Sequence, residues 1–197
     1  MVGAIVQKYT TSARLFVNGP WINTEMTVYV KGVQLSNVQL RSRSNHQEEC
    51  GFGNYLVKFH NIDKKASVEV EPLHPIYQRH LGEVSFDGYS LDKYVGFKQV
   101  TRNIHNNSKV KVEGYINYPD SGSDNWQKLT EFIFDGSNIY LNVVKYEPEC
   151  LACVNKGDKT ANDVNRNTLW THCGQLCWIR VNESNKTTFK YFSVREI

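Results

Sequence analysis

Two arginines and two amide side chains alternate along the stretch VQLRSRSNHQEEC, residues 38–50. Successive side chains of a β-strand lie on opposite faces, so Gln39, Arg41, Arg43 and Asn45 would share one face of a strand here. A guanidinium is a planar fork of donors that suits carboxylates and sugar hydroxyls. The stretch therefore predicts a ligand-binding surface, with an edge strand kept soluble by its charges as the alternative.

Polar side chains on other alternating segments could extend this surface. Glu71, Lys98 and Tyr115 each lie on the polar face of a further predicted strand. Such a mixture suits an anionic or neutral polysaccharide, but it is also typical of any solvated sheet face, so both interpretations stay open. Glu69 and Glu71 are interpreted as solvated strand charges in preference to the paired carboxylates of a glycoside hydrolase.

The same residues contain the groups that a polysaccharide lyase acting on a uronate chain would use. Such a lyase needs a cation or amide to neutralise the carboxylate, a base to remove the neighbouring proton, and an acid for the leaving oxygen. The arginines and Asn45 could neutralise the carboxylate. His46, His74 or His80 could act as the base, and Tyr77 or Tyr115 as the acid.

Five cysteines allow two interpretations. Cys-x-x-Cys followed by Cys-x-x-x-Cys resembles a four-thiolate zinc site, but the first pair has no internal glycine and the second runs straight into a strand-like segment. Disulfides are favoured, with the first cysteine reaching one of the later ones. The candidates are Cys50, Cys150, Cys153, Cys173 and Cys177.

Metal binding is left open by the acidic residues. Asp120, Asp124 and Asp135 lie near predicted turns, where calcium often stabilises jelly rolls, yet no contiguous calcium-loop pattern is present. No cofactor is expected to be required.

Alternation with a period of two dominates the chain and predicts roughly ten strands separated by turn-rich loops. No segment carries a convincing helical stripe. The pattern predicts an all-β fold, a two-sheet antiparallel jelly-roll sandwich, within a single domain of residues 1–197. A long irregular loop is expected at about 146–168.

Charge and apolar content limit the kinds of partner that the protein is expected to bind. The 197 residues carry a net charge of +3 with no basic run, which argues against a nucleic-acid footprint. No apolar run is long enough for a membrane span, and no signal peptide is visible. Aromatic residues are plentiful, and Trp126 beside a polar loop could either stack on a sugar or cap the sandwich.

The order of motifs resembles a family of extracellular, concanavalin-like jelly-roll domains of archaeal and bacterial surface proteins. These domains are distantly similar to alginate-lyase-type polysaccharide lyases. The motifs are NGPWINTEMTVYV, LRSRSNH, CGFGNYLVKF, VEVEPLHPIY, YVGFKQVTRNIHNNSKVKVEGYIN and FKYFSVREI. The resemblance implies a two-sheet sandwich, export from the cell, and carbohydrate binding or cleavage. The chain lacks the Glu of the lyases' Arg-x-Glu-x-Arg strand, which favours binding over catalysis.

The expected role is therefore polysaccharide binding on a concave sheet face, by a protein that is secreted or lies at the cell surface. A lyase is the enzymatic alternative. A self-associating structural subunit of a surface filament, sheath or virion is the alternative from another class.

Overall fold

A computed structural model describes the backbone of nine segments of the chain. They are residues 5–8, 12–32, 37–44, 52–73, 76–90, 92–118, 125–135, 174–182 and 187–197. Side chains are described from residue 22 onward within these segments, except at 52–53, 72–73, 76–79 and 174–176.

Every regular element in the described segments is a β-strand. The twelve strands are β1 (Ile5–Lys8), β2 (Ser12–Trp21), β3 (Thr24–Lys31), β4 (Asn37–Ser44), β5 (Phe52–His60), β6 (Lys65–Leu73), β7 (Ile76–Ser85), β8 (Val95–Ile104), β9 (Lys109–Asn117), β10 (Gln127–Phe134), β11 (Gly174–Asn182) and β12 (Thr188–Glu196). None of the described segments forms a helix long and apolar enough to span a lipid bilayer.

The strands form two antiparallel sheets. One has seven strands in the order β1-β2-β11-β4-β5-β6-β7, and the other has five in the order β10-β9-β8-β3-β12. The late strand β11 lies between β2 and β4, and β12 is the edge strand beside β3, so each sheet pairs a late strand with strands from the first quarter of the chain. This arrangement confirms the prediction of an all-β, two-sheet jelly-roll sandwich.

The core lies between the sheets and follows the alternation of the sequence. Met26, Val28 and Val30 of β3 are buried, and the residues between them face outward. Aromatic rings bridge the two sheets, since Phe59 and Phe97 have ring centroids 5.0 Å apart. Burial of each such side chain contributes about 1.5–3 kcal/mol, so this layer supplies much of the stability.

A small polar cluster crosses the core. Ser42 of β4 and Thr101 of β8 have their hydroxyl oxygens 2.7 Å apart. The Gln99 amide donates to Ser42 at 2.9 Å and to the Tyr55 carbonyl at 3.1 Å. Because buried hydrogen bonds require defined geometry, this cluster fixes the register of one sheet against the other.

Strand β4 is a central strand. It lies fourth of seven and pairs with β11 on one side and β5 on the other. All eight of its residues are buried. The interpretation of this stretch as an edge strand kept soluble by its charges is therefore wrong.

Candidate functional site

The sequence-predicted site residues are divided between the two outer faces of the sandwich. Gln39, Arg41 and Glu71 belong to the outer face of the seven-stranded sheet, because the residues between them point into the core. Lys98 and Tyr115 are register partners on the outer face of the five-stranded sheet. The structure therefore does not bring these five residues into one site.

Arg43 leaves the face that it was predicted to share. The β4–β11 ladder is irregular between Leu176 and Trp178, and Arg43 has a φ of 52°. Its Nε donates to the Ile22 carbonyl at 2.9 Å, and its guanidinium lies 5.8 Å from the ring centroid of Tyr55 in the core. A bulge changes the face on which a side chain lies, so the strict alternation ends one residue before Arg43.

Arg41 and Glu71 form the centre of a buried polar row. Arg41 Nη1 donates to Glu71 Oε2 at 2.5 Å, and the Asn54 amide donates to the same oxygen at 2.6 Å. The remaining guanidinium edge donates to Gln39 Oε1 at 2.8 and 3.3 Å. The Trp178 ring lies 4.5 Å from the guanidinium carbon, so the charge is enclosed by protein partners.

The polar row is not solvated. The Arg41 and Glu71 side chains are 3% and 1% exposed, and Glu69 is buried beside Lys58 at 3.6 Å. The prediction that these charges form an accessible, solvated strand face is wrong. The pair is therefore buried although it lies on the outer face, away from the five-stranded sheet.

Several predicted site residues fall beyond the described side chains. The lyase base candidates His46 and His74 and the neutralising amide Asn45 lie outside the described residues, and only the backbone of Tyr77 is described. Of the disulfide candidates, Cys50, Cys150, Cys153 and Cys173 also lie outside.

Cys177 is a free thiol buried in the core. Burial raises the pKa of this thiol to about 12, so it stays protonated and unreactive at neutral pH. Since the four other cysteines lie outside the described residues, the disulfide prediction stays a prediction. Within the described part of the chain, no three His, Cys, Asp or Glu side chains are placed to share a metal ion.

The outer face of the five-stranded sheet carries an aromatic patch, formed by Tyr29, Trp126 and Tyr191. The Tyr29 ring centroid lies 5.9 Å from that of Trp126 and 5.9 Å from that of Tyr191. Tyr191 is 73% exposed. Lys98 extends the patch, with its Nζ 4.2 Å from the Trp126 ring and 6.0 Å from the Tyr115 ring.

A glycine allows two of these rings to lie against the sheet backbone. A Cβ at Gly96 would come within 2.8 Å of Trp126 Cη2 and 2.9 Å of Tyr29 Cε1. The Asn117 amide donates to the Tyr29 hydroxyl at 3.1 Å and so fixes the end of that ring. The positions of Tyr29 and Trp126 are thus set by the strand beneath them.

The third ring depends on an irregular backbone. The β12–β3 ladder shifts register between Lys190 and Ser193, and Tyr191 within this bulge has a φ of 52°. Lys190 precedes it, with its Nζ 4.1 Å from the Tyr94 ring and 5.2 Å from the Tyr191 ring. Positive φ is uncommon for a bulky residue and directs the ring out of the regular pleat.

Beside the patch, a buried carboxylate is surrounded by cations. Glu113 is 3% exposed, and it pairs with Arg102 at 2.7 Å and with Lys111 at 3.1 Å. Tyr115 contacts the same carboxylate. Its pKa is raised, first by burial and then by the Glu113 charge, so the hydroxyl keeps its proton and donates a hydrogen bond to the Glu113 carboxylate.

Sequence reasoning identified Trp126 as a residue that could stack on a sugar but did not find Tyr29 or Tyr191. Gly96 inside a predicted strand was an available signal, because such a glycine often marks a close approach of another group. The bulge at Tyr191 has no comparable signature in the segment FKYFSVREI.

Comparisons with known proteins concern the fold alone. No protein-family model and no curated protein matches the sequence. A solved structure described as carbohydrate binding module CBM66 from Bacillus subtilis is similar, with a TM-score of 0.55 and 7% identity. The match covers 100% of this chain and 92% of that chain. It supports the predicted resemblance as far as the jelly-roll sandwich, and nothing in it bears on lyases.

Proposed function

We propose that this protein binds carbohydrate through the aromatic patch. The observation that carries the proposal is the contact of Trp126, Tyr29 and Tyr191 on an outer sheet face, where the fold does not need them for its core. The fold similarity to a protein described as a carbohydrate binding module supports the proposal at the level of architecture.

The chemistry of the patch suits a sugar ring. Aromatic faces carry negative potential and pack against the C–H groups of a pyranose, while phenol and ammonium groups can bond to its hydroxyls. Lys98 lies over the Trp126 ring and supplies such a group. This combination of an apolar face and a flanking donor distinguishes the patch from the internally paired row around Arg41.

A glycan array compared between the wild type and Trp126→Ala tests the proposal. Loss of the indole removes a stacking surface, so the affinity for any glycan that the wild type binds should fall roughly tenfold. Ile62→Ala is the matched control, because Ile62 is 74% exposed and belongs to the β5–β6 turn, away from the patch. Equal binding by Trp126→Ala and the wild type would exclude the patch as the binding surface.

Two further roles stay predictions. For lyase activity, uronate polymers incubated with the protein should yield the ultraviolet absorbance of an unsaturated product, and a flat trace on all of them would end that hypothesis. For a surface-filament subunit, the protein should assemble at high concentration, whereas a persistent monomer would count against it. Secretion is proposed with carbohydrate binding, since extracellular glycans would be the ligands.

A further inference from the structure

We infer that the aromatic patch takes a single soluble glycan chain in preference to the surface of a crystalline polysaccharide, and that Tyr191 sets this preference. The inference rests on the proposed function, because it names the physical form of the ligand at the same site. Three observations carry it: the angles between the rings, the backbone of Tyr191, and the positions of two lysines.

The ring planes do not form a flat platform. A crystalline polysaccharide presents a flat layer of sugar rings, on which several aromatic rings can stack together only if they are coplanar. Here the planes of Trp126 and Tyr29 are inclined by 61°, and those of Tyr29 and Tyr191 by 87°. Rings at these angles cannot rest on one plane. Tyr29 and Tyr191 instead enclose a corner, which a single chain can enter.

The backbone holds the Tyr191 ring nearly perpendicular to the Tyr29 ring. Its φ of 52° and the register shift around it turn the residue out of the β12 pleat. The ring stays 73% exposed although it contacts Tyr29 edge to face. A strained conformation persists only where its surroundings determine it, and such conformations cluster at ligand sites. Because the Tyr191 ring is nearly perpendicular to the Tyr29 ring, it would obstruct a flat surface that approached Tyr29 and Trp126.

Two ammonium groups lie over rings of the patch. Lys98 Nζ is 4.2 Å from the Trp126 ring, and Lys190 Nζ is 5.2 Å from the Tyr191 ring. Each can donate to hydroxyl or acidic groups on the edge of a chain that lies between the rings. In a crystal those edge groups are bonded to adjacent chains, so only a free chain offers them to both lysines.

The test compares soluble and crystalline forms of the same sugars. The wild-type protein is measured by calorimetry against the soluble oligosaccharides of a glycan array, including those of cellulose and chitin. It is also measured by sedimentation with microcrystalline cellulose and crystalline chitin. We expect binding to a soluble chain and no retention on either solid. Tyr191→Ala should weaken soluble binding roughly tenfold, while Tyr191→Phe keeps the ring and should stay within about threefold of the wild type.

Each outcome decides the inference. Tighter retention on a crystalline solid than on its soluble oligosaccharide, or unchanged soluble binding by Tyr191→Ala, would overturn it. If the wild type binds a solid and Trp126→Ala does not, the inference fails while the proposed function stands. Binding to none of these ligands overturns both. Ile62→Ala, which changes an equally exposed side chain outside the patch, should match the wild type throughout.

Discussion

The Arg41–Glu71 pair shows how a residue with binding chemistry can serve structure. The guanidinium donates to Glu71 and Gln39 and lies against Trp178, and both charged side chains are almost fully buried. A buried ion pair costs desolvation energy, and its partners must remain together for that cost to be offset. We infer that the pair defines the arrangement of β4, β6 and β11.

Removal of one partner of this ion pair should therefore destabilise the folded protein. Arg41→Ala leaves the Glu71 carboxylate buried without its cation, and the free energy of unfolding should fall by about 3–5 kcal/mol. Urea denaturation monitored by tryptophan fluorescence would measure the change. Arg195→Ala is the control, because the Arg195 side chain is 66% exposed and its pair with Glu25 should contribute at most about 1 kcal/mol. Similar small losses in both variants would contradict the structural role of Arg41.

At the scale of the strand, β8 connects the core to the proposed binding surface. Its inward residues Phe97, Gln99 and Thr101 contribute to the core and the polar cluster, whereas Gly96 and Lys98 belong to the outer face. The pairing of β3 with β8 places Tyr29 opposite Gly96. The positions of the Tyr29 and Trp126 rings therefore depend on Gly96, whose lack of a side chain leaves room for them.

Gly96→Ala tests this dependence. The added methyl group would come within 2.8 Å of Trp126 and 2.9 Å of Tyr29, so both rings must move. We expect roughly a tenfold loss of glycan affinity from the displaced rings. Gly32→Ala is the control, since the atoms nearest to its methyl group would all belong to Thr187, the first at 3.0 Å. Unchanged affinity in Gly96→Ala would mean that the ligand does not use the ring positions described.

The same scale shows what alternation can and cannot predict. The period of two predicted β3, β4, β8 and β9, and it placed Gln39 and Arg41 on one face correctly. The alternation failed at Arg43, because a bulge interrupts the β4–β11 ladder there. It also did not predict β2, because Asn18-Gly19-Pro20 has the composition of a turn. In the structure the strand continues through these residues to Trp21. Burial of the polar row around Arg41 could not be predicted from the sequence either, because alternation does not show which outer face of a sandwich is covered.

At the scale of the molecule, the sandwich separates two kinds of polar surface. The seven-stranded sheet carries the paired and buried row around Arg41, and the five-stranded sheet carries the partly exposed rings and lysines of the aromatic patch. The patch joins β3, the residue before β10, and β12, which lie far apart in the sequence. The aromatic patch could not be predicted from local sequence patterns, because only the pairing of distant strands brings these segments together.

The two faces each contain a described tryptophan, so one titration can distinguish them. Indole N–H signals of the wild type would be followed by NMR while a glycan identified on the array is added, with Trp→Phe variants used for assignment. The account predicts that the Trp126 signal shifts in proportion to bound glycan while the Trp178 signal, beside Arg41, stays in place. A shift of Trp178 with no change at Trp126 would place the ligand on the seven-stranded sheet and contradict it.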